Sequence, residues 1–163
     1  MCVYIEVYSK EIISNEDVLT RTTFTPSRVE FTYRKWTRYH GKVETTKVLN
    51  RVDAESAFHS VKNNVKLQAD YIRDLVSTID ILDDASFKRI QEEEQVVLEI
   101  GFKYLHTKII YSNKGSKTII EFYTTDTALF RDRGRINQNI FYIAADYDVI
   151  EELLGKDFLS IVE

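Results

Sequence analysis

Apolar and polar positions alternate from the start of the chain, with Val3, Ile5 and Val7 set against Tyr4, Glu6 and Tyr8. This two-residue period predicts a first strand with both faces partly covered. Residues 9 to 18 are polar and read as a connection to a short strand over Leu19 to Thr25, which Pro26 stops. Val29, Phe31 and Tyr33 open a third strand that runs to Tyr39, and His40-Gly41 suits a two-residue hairpin turn into Lys42 to Leu49. That turn sets Tyr33 opposite Val48 and Trp36 opposite Thr45. Toward the turn both faces become polar, with Thr37 facing Glu44 and Lys35 facing Thr46, so the ribbon is expected to project past the packed sheet.

The period changes after Asp53, a natural N-cap, to helical spacing through Phe58, Val61, Val65, Ile72, Leu75, Ile79 and Leu82. One long helix over about 54 to 82 is expected to lie across the sheet. The same stripe leaves a coiled-coil dimer open, although Gln68 interrupts it. Residues 86 to 95 read as a second, charged helix with Glu92, Glu93 and Glu94 facing water, and Val96 to Leu105 is ambiguous by period. Tyr104 to Tyr111 and Lys117 to Thr124 form a hairpin around Asn113-Lys114-Gly115. A strand over Ile140 to Ala145 follows the loop Arg131 to Asn139. Asp146 or Asp148 then caps a short helix to Leu154, Gly155 marks its C-terminal stop, and Phe158 to Val162 closes the chain. Strands, a long helix and further strands predict an α+β fold, a mostly antiparallel sheet packed against that helix with a projecting basic β-hairpin.

With 163 residues, 44% of them hydrophobic, the chain is the size of one domain spanning 1–163 and can bury a full core without cross-links. Cys2 is the only cysteine, so no intramolecular disulfide forms. No charged-then-apolar leader opens the chain, and a cytoplasmic location is expected. No apolar run reaches membrane-spanning length, so no membrane partner is expected. Few Gly and Pro beside abundant Tyr, Phe, Ile, Lys and Asn point to an AT-rich genome, such as a phage or mobile element of a low-GC bacterium.

Charge sharpens this picture. The net charge is −4, yet residues 28 to 51 hold seven Lys or Arg against Glu30 and Glu44, which makes that stretch +5 and the remainder −9. A basic patch on an acidic body attracts an acidic partner locally, while long-range repulsion disfavours indiscriminate nucleic-acid binding. Within the patch, strand alternation places Arg34, Trp36 and Arg38 on one face and Phe31, Tyr33 and Tyr39 on the other. An indole between two guanidinium groups suits a hot spot or a stacked base, and His40 and Lys42 extend the same tip. Arg131, Arg133 and Arg135 flank Gly134 in a second basic stretch that could hold a phosphate.

Other chemistry finds less support. Asp80, Asp83 and Asp84, or Asp146 with Asp148, offer oxygen ligands, but neither group fits a calcium loop and both sit where helix caps are expected. His40, His59 and His106 have no partner at zinc-ligand spacing. Cys2 after Met1 raises an N-terminal nucleophile, yet Val3-Tyr4-Ile5 continues a strand. Glu6 among alternating charged strands loosely resembles the triphosphate-tunnel enzymes, which carry Glu-x-Glu-x-Lys on strand one. Ile5 to Lys10 lacks the second Glu, so the chain is not assigned to them. No catalytic residue, metal or cofactor is therefore expected.

These features imply a non-enzymatic binding protein, an inhibitor-type accessory factor that engages an acidic protein through Arg34, Trp36, Arg38, His40 and Lys42. The alternative is a protein sequestering a nucleotide or another phosphorylated ligand between the hairpin and Arg131, Arg133 and Arg135. Nucleic acid is a third, less favoured partner. The long apolar helix and exposed hairpins leave room for a homodimer.

Overall fold

The computed structural model describes residues 4–13, 16–37, 41–49, 51–102, 105–126 and 136–163. It is α+β, with an antiparallel sheet and helices on one face. Nine strands form the sheet: β1 Tyr4–Ile13, β2 Glu16–Thr25, β3 Arg28–Thr37, β4 Gly41–Leu49, β5 Ala85–Gln91, β6 Gln95–Phe102, β7 Leu105–Lys114, β8 Lys117–Asp126 and β9 Ile136–Ala145. Their order is β4-β3-β2-β1-β9-β8-β7-β6-β5, two meanders joined where β1 pairs with β9. Chain neighbours pair as sheet neighbours in each meander, so short turns fix most of the register.

Among the described residues the helical layer is not one helix but three: α1 Arg51–Ser77, α2 Tyr147–Leu154 and α3 Lys156–Val162. The helix expected to reach residue 82 stops earlier, at Ser77, before a 3-10 turn at Ile79–Ile81. Side-chain competition accounts for the stop, because Ser77 Oγ and Thr78 Oγ1 both donate to the Asp74 carbonyl, at 2.7 and 3.1 Å. The apolar stripe Phe58, Val61, Val65 and Ile72 is buried within the chain, with Ala54 and Ala69 filling close positions on the same side. Those residues are thus not presented to a second copy as a coiled-coil seam. Gly155 has φ +91 between α2 and α3, a conformation that costs glycine little.

One row of register partners locates the core: Val29, Phe24, Ile5, Ile143, Ile120, Tyr111 and Val96 lie side by side across seven strands. Ile5, Ile143 and Ile120 are fully buried, and they join Phe58, Val61 and Val65 of α1 and Phe158 and Leu159 of α3 in one cluster. Phe122 on β8 stacks at a tilt on Phe158, with ring centroids 5.6 Å apart. Residues one position along each strand therefore fall on the opposite face, over which none of these three helices packs.

Several sequence expectations need correction. Residues 9 to 18 are not a connection, because β1 continues to Ile13 and β2 begins at Glu16. Residues 86 to 95 are not a helix but β5, a turn and the start of β6, entered through Asp84 at φ +57. The basic hairpin pairs three positions away from the expected register, with Trp36 opposite Lys42 and Tyr33 opposite Thr45. Gly41 explains the shift: at φ +71 it already belongs to β4, opposite Thr37, so residues 38 to 40 join the strands instead of His40-Gly41. Nor does the ribbon stand clear of the sheet. β3 pairs with β2 from Arg28 to Thr37, which makes β3 and β4 the edge of the sheet instead of a projecting arm.

Candidate functional site

Trp36 occupies the face opposite the described helices, between Asp17 on β2 and Lys42 on β4, and 47% of its surface is exposed. Arg34 lies two residues earlier on the same face, opposite Glu44. Glu44 pairs instead with Lys42, Nζ to Oε2 at 3.4 Å, so the Arg34 guanidinium has no ion pair among the described residues. Phe31 and Tyr33 take the opposite face, as alternation predicts. Arg38 and His40 lie outside the described residues, as do Cys2 and the Arg131, Arg133 and Arg135 stretch.

Exposed apolar surface gathers at this edge. Phe31, Trp36, Val43 and Val48 all stand out from β3 and β4, and every described side chain of β4 is exposed. Among the described strands none lies on the outer side of β4, so its outward N–H and C=O groups are open to pairing by another chain. Lys42 and Lys47 give that edge a positive charge, which discourages indiscriminate self-pairing and favours an acidic strand.

Sequence reasoning missed a groove elsewhere on the same face. Side chains of β5, β6, β7 and β8 enclose about 750 Å3 around Gly101, with Ser86, Lys88, Glu99, His106, Lys108 and Tyr123 among the residues lining it. Two rows of partners cross it: Lys88, Glu99, Lys108, Tyr123 and Ser86, Gly101, His106, Thr125. The signal was present as strand alternation on β7. The helical reading of residues 86 to 95 hid the β5 side of the groove. The hydroxyl of Tyr123 donates to Glu121 Oε2 at 3.1 Å, and burial, then the Glu121 charge, pushes its pKa up. His106, without a partner in the sequence, therefore shares this groove with Ser86 and two lysines.

Among the described residues no three His, Cys, Asp or Glu side chains gather as a metal site, and Asp80, Asp83 and Asp84 form no such group. No helix of the described residues is long and apolar enough to cross a membrane. No protein-family model, curated protein or solved structure matches the chain.

Proposed function

We propose that the chain is a non-enzymatic binding protein, of the inhibitor or accessory type, that docks an acidic protein along the β3–β4 edge. The exposed Trp36 beside Arg34, which has no ion pair among the described residues, carries this reading. The indole supplies a rigid apolar anchor, the guanidinium pairs with a carboxylate, and the outward main chain of β4 accepts an added strand. A partner held in this way is blocked or sequestered without any reaction on it.

The experiment is a pull-down from host extract with the wild type and the double variant Trp36→Ala/Arg34→Ala, beside their thermal midpoints. An acidic protein retained by the wild type is expected to bind the double variant at least about thirtyfold more weakly, as for loss of a hot spot of about 2 kcal/mol or more. Folding stability is expected to stay within about 0.5 kcal/mol, as for other exposed substitutions. Capture that survives the double substitution, or a collapse of the midpoint, rules out the reading.

A further inference from the structure

Four donors in the β5–β8 groove have no bonding partner among the described residues. Among the described residues the side chains of Ser86, Lys88, His106 and Lys108 make no hydrogen bond or ion pair, although Glu99 stands between the two lysines in register. Lys88 and Lys108 are two strand spacings apart, about 10 Å between backbones, which lets both flexible stems converge on one anion above Glu99. Beside them the floor falls away at Gly101. A Cβ there would come within 2.8 Å of Ser86 Oγ and 3.4 Å of His106 Nδ1, so the missing side chain leaves a recess edged by a hydroxyl and an imidazole. The Tyr123 hydroxyl is already engaged by Glu121, and its ring, with Ile110, forms an apolar wall.

We infer that this groove binds a phosphorylated small molecule of roughly mononucleotide size. Its volume of about 750 Å3 suits such a ligand. The two ammonium groups take the phosphate, and Ser86 and His106 donate to it or to its ester oxygen. Glu99 opposes a bare polyanion and accepts from a hydroxyl or amino group, so it selects a phosphate that carries a sugar or a comparable polar body. The site is separate from the β3–β4 edge and does not depend on the partner proposed there.

Thermal-shift and calorimetric titrations with adenosine 5′-monophosphate, ribose 5-phosphate, inorganic phosphate and adenosine test the assignment. At roughly tenfold excess over its dissociation constant, a phosphorylated sugar is expected to raise the midpoint by about 3 to 6 °C. Adenosine is expected to leave it unchanged, and inorganic phosphate to act more weakly than either sugar phosphate. Lys88→Ala/Lys108→Ala is expected to weaken binding by about tenfold to a hundredfold, since each lost charge-assisted bond is costly. Lys108→Gln alone should weaken it less, and Trp36→Ala/Arg34→Ala should leave it intact. No response to either sugar phosphate at millimolar concentration overturns the proposal. So does a response that persists in the double lysine variant or disappears with Arg34.

Discussion

Along β8 the side under the helices takes Ile120 and Phe122, both fully buried, while the next residues along, Glu121 and Tyr123, face the other side and remain partly exposed. β7 repeats the contrast with buried Ile109 between exposed Lys108 and partly exposed Ile110. The face beneath α1, α2 and α3 is a continuous apolar layer, and its side chains are chosen by packing. The opposite face carries charges, hydroxyls and aromatic rings that no helix requires. Its exposed residues, unlike buried Val97 on the same face, can thus change without unfolding the chain, and function has freedom to settle there. Both candidate sites, the Arg34 and Trp36 edge and the groove around Gly101, lie on this second face, and register places Arg34 and His106 in the same row of the sheet.

Truncation on neighbouring strands tests that division most strongly. Phe122→Ala removes a fully buried ring that packs on Phe158, and about 3 to 5 kcal/mol of stability is expected to go with it. Lys108→Ala on the other face is expected to change stability by no more than about 0.5 kcal/mol. Urea denaturation of both variants measures the difference. Equal losses would mean that the polar face is part of the folding core and that its groove is not free for a ligand.

Much of the helix-covered face was legible in the sequence, because its signals are local. Phe58, Val61 and Val65 announce α1, Gly115 turns β7 into β8, and Gly155 marks the end of α2, although the helix after it was not foreseen. The other face was harder to read for two physical reasons. β5 is an edge strand with Ser86, Phe87, Lys88 and Arg89 all exposed, so burial imposes no period on it, and the adjoining run of Glu suggested a helix. On β6, Val96, Val97 and Leu98 are buried in succession, which removes alternation altogether. The groove arises only when four strands align, and that register is set by turns scattered over some forty residues. The edge site was legible as charge and aromaticity within one short segment. Its pairing was not, since the choice between His40-Gly41 and residues 38 to 40 as the connection rests on the backbone angle of Gly41.

Among the described residues the apolar face buries two hydroxyls, Thr107 and Thr118, and the second sharpens the contrast at a smaller scale. Thr118 is 2% exposed on the helix side of β8, and its Oγ1 donates to Asn113 Oδ1 at 2.9 Å. Thr118→Val keeps the shape and removes the bond, and about 1 kcal/mol of stability is expected to be lost, since Asn113 is exposed and regains water. A neutral or stabilising result in the same denaturation assay would assign the hydroxyl no share in holding the β7–β8 turn.

The smallest effect concerns the rim of the helical layer, where polar chemistry returns. The Tyr147 hydroxyl at the start of α2 donates to Glu163 Oε1 at 2.6 Å, and this bond, ahead of desolvation and the nearby carboxylates, pushes its pKa up to about 12 from the usual 10. The folded chain therefore holds this proton more tightly than the unfolded one. Its contribution to stability is complete below pH 10 and is lost as pH rises toward 12. Tyr147→Phe removes the bond and with it that part of the alkaline decline. Tyrosinate absorbance, followed alongside circular dichroism from pH 9 to about 12, is expected to show one late-titrating tyrosine fewer and a flatter stability profile in the variant. Loss of a tyrosine that titrates near the usual 10, with an unaltered stability profile, would mean that the Tyr147 bond to Glu163 does not persist in solution, and that the helical layer is held at this end by Ile150, Leu154 and Phe158 packing alone.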